Sequence, residues 1–258
     1  MKTSNEFLLK KWYLDYITPG FDAAIFYKGS LSYGPIEVHH CSELIKAGGE
    51  ISGETFWNNK RYSIEHTGDV VTGILNNEIL KWKSLCKSIT IPIFNKGNKY
   101  ITWSCLQPLS RVEVPFLHQP NIFGYVEQLE TNILPWEFEF EKLIWGRFTS
   151  AGTSIVWISL EGTYSKNFVI VNGEEVNAGK ITNSEIIFTD GNIQIQDMIV
   201  LREGNLLSTL LKNMPFLNQF IPKTGLPLFE KKMLAKGTLT LGDQTEEGQI
   251  IHEIVRWK

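Results

Sequence analysis

Residues 124–148 read GYVEQLETNILPWEFEFEKLIWGRF, a run that crowds carboxylates and aromatic rings together. Two arrangements produce such a mixture: a strand with one solvated face, or an acid set inside an apolar pocket. In WEFEFEK, Trp136, Phe138 and Phe140 alternate strictly with Glu137, Glu139 and Glu141. Successive side chains on a strand point to opposite faces, so this segment predicts a strand with aromatics toward the core and carboxylates in water. Pro135 suits its first position. In GYVEQLE, Tyr125 and Glu127 share a face by the same period, and Val126 takes the other. If Tyr125 points inward, so does Glu127. A desolvated carboxyl holds its proton more tightly, which a general acid working near neutral pH requires. The alternative is a buried Glu127 paired with an arginine such as Arg147.

The same alternation runs through most of the chain. DAAIFYKGSLSYGPIEVHH (22–40) carries two short strand-like runs broken at Gly29 and Gly34. SIVWISLEG, NFVIVNGEEV, EIIFTDGNIQIQDMIVL and GQIIHEIVRWK follow suit, with Asn172-Gly173 and Asp190-Gly191 as turns. Asn-Gly and Asp-Gly supply the positive φ of tight hairpins. Many short strands with regular turns predict a mainly β protein of antiparallel sandwiches or barrels, with few short helices. One helix is expected near the N-terminus, capped by Ser4 and running through Phe7, Leu8 and Lys11. A second is expected over NLLSTLLKNM (205–214), where Leu206, Leu207, Leu210, Leu211 and Met214 share a face and Pro215 follows. Its polar face offers Lys212 as sole cation, so it reads as a helix across a barrel mouth rather than on a membrane. Pro108, Pro115 and Pro120 interrupt the pattern in QPLSRVEVPFLHQPN. A linker at 115–121 therefore separates an expected N-terminal domain, 1–115, from a C-terminal one, 121–258.

The 258 residues carry a formal net charge of -3, with no long basic run. Such a balance argues against nucleic acid or an anionic membrane surface as partner. No stretch approaches the roughly 20 apolar residues of a membrane-spanning helix, and charges interrupt the N-terminus too early for a signal peptide. Cys41, Cys86 and Cys105 are widely spaced and form no CxxC pair, as expected of reduced, buried thiols in a cytoplasmic protein. The five histidines show no HxH, HxxxH or HExxH spacing, so no metal site is expected. His39 and His40 must face opposite sides of a strand. Glu37 and His39 share a face and can pair, and His39 is the candidate for a pocket wall. Near the C-terminus, His252 and Glu253 also split between faces. GxSxG, GxxxxGK[ST] and GxGxxG are absent, which weighs against hydrolase, NTPase and dinucleotide-dependent chemistry.

KKWYLDYITPGFDAAIFYKGSLSYG near the start resembles the WWYFDA-type opening of the lipocalin-like superfamily. That group contains carotenoid 1,2-hydratase (hydroxyneurosporene synthase) and is related to tocopherol cyclase and fungal lipocalin-like Diels–Alderases. FGYVE (123–127) resembles the GxGYxE/D element that opens the group's second domain, and LIWGRF (143–148) resembles its WG-containing strand. Glu127 then corresponds to the acid of GYxE/D, Trp145 and Gly146 to the Trp-Gly pair, and Trp12, Tyr13 and Asp15 to the opening motif. Gln128-Leu129-Glu130 stands where members often carry Asn-Trp-Gly.

The resemblance implies two lipocalin-like β-barrels packed together, with an apolar pocket at the domain interface and chemistry without metal or organic cofactor. It implies a hydrophobic polyene, prenyl or polyketide substrate undergoing acid-assisted cyclisation, hydration or isomerisation. Glu127 is the expected proton donor, oriented by Tyr125 or Arg147. Trp145 and Trp157 are expected to line the pocket and steady a developing cation, with Trp12 and Tyr13 from the opening motif beside them. Two alternatives stand. A pericyclic cyclase needs only a shaped pocket with hydrogen-bond donors, and a carrier of hydrophobic small molecules needs no chemistry at all. A fold by itself does not choose among them.

Overall fold

The computed structural model describes residues 7–58, 60–117, 119–205 and 228–257. It divides into two compact units, Met1–Leu134 and Pro135–Lys258. Each is built on one antiparallel sheet, as the period-2 pattern requires.

The first sheet contains β1 (Phe7–Ile17), β2 (Ala23–Tyr33), β3 (Ile36–Ala47), β4 (Glu50–Phe56) and β5 (Tyr62–Thr67). It continues with β6 (Val70–Leu75), β7 (Glu78–Ser84), β8 (Ile89–Lys96), β9 (Lys99–Glu113) and β10 (Phe123–Thr131). Its strand order is β4-β3-β2-β1-β10-β9-β7-β6-β5, with β8 paired to β9, and it curls into a half-barrel. Leu14, Phe26, Val126, Tyr62 and Trp82 form the core on one face. The other face of β1 and β10 is buried as well, and it carries Tyr13, Asp15, Tyr125 and Glu127.

Two sequence expectations change here. Phe123–Thr131 lies in the middle of the first sheet, between β1 and β9, so it does not open the second domain. Pro108 lies within β9, Pro115 and Pro120 fall between β9 and β10, and the units divide between Leu134 and Pro135. Phe7–Lys11 is strand, not helix, because pairing with β2 and β10 overrides the local cap signal. Gly29 interrupts nothing either, since β2 runs straight through it.

The second sheet contains β11 (Phe140–Thr149), β12 (Ser154–Gly162), β13 (Lys166–Val171), β14 (Glu174–Val176) and β15 (Ala178–Ile181). It is completed by β16 (Glu185–Phe188), β17 (Gly191–Asn205), β18 (Phe229–Leu241) and β19 (Gln244–Arg256). The order β14-β13-β12-β11-β19-β18-β17-β16-β15 makes a nearly closed barrel. Ile144, Phe148, Trp157, Val169, Ile193 and Ile250 fill its core. Asn172 and Gly173 turn β13 into β14 with φ of 50° and 86°, the left-handed pair expected of that hairpin.

WEFEFEK is not a strand. Pro135–Glu137 is a 3-10 turn, and β11 begins only at Phe140. Phe138 stacks on Phe140 with ring centroids 4.7 Å apart, and Trp257 meets both rings edge-on at 5.4 and 5.1 Å. Aromatic clustering with a residue from the C-terminal end of the unit, invisible in the local alternation, sets this conformation. The leucine-rich helix expected over 205–214 lies outside the described residues beyond Asn205.

Candidate active site

Tyr13 stands directly opposite Glu127 across β1 and β10, and Asp15 stands opposite Tyr125. All four share one face, because each pair is spaced by two along its strand. They form a two-by-two block with carboxyls on one diagonal and phenols on the other. The hydrogen bonds run along the strands: Tyr13 Oη donates to Asp15 Oδ2 at 2.7 Å, and Tyr125 Oη to Glu127 Oε2 at 2.7 Å. Trp103 Nε1, from β9, donates to the same Glu127 oxygen at 2.5 Å. The Tyr13 ring meets Tyr125 edge-on at 5.8 Å and Tyr27 at 5.2 Å. Asp15 and Tyr125 are fully buried, and Glu127 is 6% exposed. The β10–β9 ladder shifts register on both sides of Val126, an irregularity of the kind that re-aims side chains beside functional sites.

This surrounding decides protonation. Burial pushes the Tyr125 phenol well above its ordinary value, with Cys105 and Glu127 adding to the effect. Tyr125 therefore stays a neutral donor. Glu127 Oε2 thus accepts from two neutral donors, the Tyr125 phenol and the Trp103 indole.

The next row along this face is Lys11, Gly29 and His40, paired in turn across β1, β2 and β3. A Cβ on Gly29 would fall inside the His40 ring, so only glycine lets the imidazole lean across the row. Lys11 Nζ lies 5.2 Å from the centre of the Tyr27 ring. His40 stacks at a tilt on Trp57, 5.9 Å away, and burial, with Lys11 and His39 nearby, lowers its pKa to about 4.

Of the sequence candidates, Glu127, Tyr125 and Tyr13 come together. Trp12 and His39 do not join them. Trp12 points to the opposite face and packs against the core, while His39 is partly exposed beside Glu37 at 3.4 Å. His40, not His39, lies on the Glu127 face. Trp103, Cys105 and the Tyr13–Asp15 bond were not evident in the sequence. ITWSCLQ alternates like any strand, and nothing local says that it pairs with GYVEQLE.

Arg147, Trp145 and Trp157 belong to the second unit. Trp157 pairs with Gly146 and Trp145 with Ile158, so the two indoles point to opposite faces of that sheet and share no wall. Trp157 fills the barrel core beside His252, with rings 5.9 Å apart, and a Cβ on Gly146 would fall inside its indole. Neither His252 nitrogen nor the Trp157 N–H has a hydrogen-bond partner among the described residues. Trp145 lies on the other face, 5.8 Å from Lys232 Nζ. Buried Lys232 pairs with Glu253 and stands 3.8 Å from Glu230, which also takes Arg202 at 2.7 Å. Burial and then Glu253 raise the Glu230 pKa. Arg147 is fully buried and donates to Thr149 Oγ1.

Cys41, Cys86 and Cys105 form no disulfide among the described residues; Cys41 and Cys105 are buried as expected, whereas Cys86 is only partly so. Among the described residues, no three His, Cys, Asp or Glu side chains gather as metal ligands, and no helix is long and apolar enough to cross a membrane. An open cleft of about 630 Å³ in the first unit is lined by Ile79, Arg111, Val114, Pro115, Leu117 and Pro120. None of the Glu127 block lines it. The carboxylate that lines the cleft, Glu113, is exposed, whereas Glu127 is buried.

No protein-family model matches the sequence, and no curated protein does. Solved structures do. CghA superposes with a TM-score of 0.60 at 10% identity, over 97% of this chain and 88% of its own. Kievitone hydratase from Nectria haematococca gives 0.60 at 11%, over 96% and 88%. CghA with Sch210972 gives 0.56 at 10%, over 97% and 89%. The fold is lipocalin-like. The lipocalin-like resemblance of WYLD, GYVE and LIWG thus agrees with the three-dimensional likeness, which at these identities concerns the fold.

Proposed function

We propose that this protein is a natural-product enzyme that protonates an apolar polyene, prenyl or polyketide substrate and directs its cyclisation, hydration or isomerisation. Glu127 is the proton donor. The observation that carries this reading is a carboxyl 6% exposed whose Oε2 accepts hydrogen bonds from Tyr125 and Trp103, on a face it shares with the Tyr13 and Tyr125 rings. Transfer of that proton to a substrate double bond leaves a carbocation and a Glu127 carboxylate. Ring closure followed by return of a proton to Glu127 gives a cyclic isomer. Addition of water, whose surplus proton returns to Glu127, gives a hydrate. Both sequences balance and regenerate the acid without a cofactor. The faces of Tyr13, Tyr27 and Tyr125 can each stabilise the cation by about 0.5–2 kcal/mol. Support also comes from a fold neighbour named as a hydratase.

The test compares wild type with Glu127→Gln, each incubated with apolar extract of the producing organism in deuterated water and followed by mass spectrometry. A product that carries deuterium or the mass of water, made by wild type alone, is the expected result. An unlabelled isomer made equally by both proteins would instead indicate a pericyclic cyclase. A ligand recovered unchanged from both would indicate a carrier.

A further inference from the structure

Along the Glu127 face, the row that follows Tyr13 is rich in hydrogen-bond donors and poor in acceptors. Lys11 is half-buried and has no carboxylate partner among the described residues. It sits over the Tyr27 ring and acts electrostatically on His40. The Trp57 indole N–H, buried beside His40, has no acceptor among the described residues. His40 stays a neutral imidazole near pH 7 and so keeps an N–H of its own. Burying a donor such as the Trp57 N–H without an acceptor is costly. Gly29, by admitting the His40 ring, is the local feature that brings these groups into one row.

We propose that Lys11, His40 and Trp57 form the recognition site for a carboxylate of the substrate. This deepens the function proposed above and rests on it only for the role of Glu127. Lys11 precedes Tyr13 by two residues, about 7 Å along the strand, and Tyr13 faces Glu127. An oxygen held at Lys11 thus stands one row along the same face from Tyr13, which is paired with Glu127. The substrate class narrows accordingly: an unsaturated carboxylic acid fits, and a pure hydrocarbon polyene leaves the donors unmet.

cis-Parinaric acid, a fluorescent polyene fatty acid, and its methyl ester separate the acidic oxygen from the apolar chain. Wild type should bind the acid about tenfold more tightly than the ester, as a charge-assisted contact predicts, and added salt should narrow the gap. Lys11→Met should erase the preference, Lys11→Arg should keep it, and Trp57→Phe should reduce it. Equal affinities, failure of folded wild type to bind the acid, or a preference that survives Lys11→Met overturns the proposal. Glu127→Gln should retain the preference. Binding without turnover thereby isolates this site from the acid chemistry, which the deuterium experiment judges by itself.

Discussion

Asp15 and Glu127 lie on one diagonal of a block shared by β1 and β10, and each accepts a hydrogen bond from a tyrosine two residues earlier on its own strand. Neither carboxyl depends on the other strand for its phenol. Each strand brings a complete acid–phenol pair, and sheet formation sets the two pairs side by side.

Tyr125→Phe tests the pair on β10. The substitution removes one of the two donors to Glu127 Oε2 while the other, Trp103, remains. Stability should fall by about 1–3 kcal/mol, the cost of leaving a buried acceptor short of a partner. Product formation should fall as well, because the carboxyl loses an orienting contact. Urea unfolding and the deuterium assay read the two effects separately; unchanged stability would mean that the bond contributes nothing.

Gly146→Ala tests the close approach in the second barrel. The added methyl would fall within the Trp157 indole, which is fully buried. Overpacking of this kind should cost about 1–3 kcal/mol. Adding Trp157→Phe to the same chain should recover part of the loss, whereas strictly additive losses would place the strain elsewhere.

Acidification should weaken the fold through His252. Burial lowers its pKa from 6.5 to about 4, whereas the unfolded chain titrates normally. The unfolded state therefore binds the proton first, so stability is complete above pH 6.5 and is lost as pH falls toward 4. Between pH 7 and pH 5 the loss should be about 2 kcal/mol by linkage. His40 shifts in the same direction and adds to the effect. Denaturant titrations of wild type and His252→Leu at both pH values should show a shallower pH dependence in the variant.

Much of the fold is legible in the alternation, because the period of two is a property of each strand alone. The shared face of Tyr125 and Glu127 follows from it, and so does the splitting of His39 from His40. What the alternation lacks is the partner strand. That Trp103 reaches Glu127, that β10 completes the first sheet, and that Trp145 and Trp157 diverge all depend on register between distant segments. Parity also leaves open which face is buried, and for β1 and β10 both are. WEFEFEK misleads for a related reason: its alternation is real, but Phe138 and Phe140 cluster with Trp257, a distant residue that the local pattern does not show.

The diagonal block also bears on how the chain finds its structure. A slip of two residues between β1 and β10 preserves the faces and costs little in hydrophobic pattern, which makes it the natural pairing error for such strands. In one direction that slip sets Asp15 opposite Glu127, carboxyl against carboxyl in a buried layer, and a proton must be taken up or the pairing abandoned. In the other it sets Tyr13 against Tyr125 and leaves Asp15 opposite Phe123. The block that holds the proposed proton donor thus also discriminates against misaligned sheets, and neutralising both acids at once would be felt as loss of a unique strand alignment before it was felt as loss of compactness.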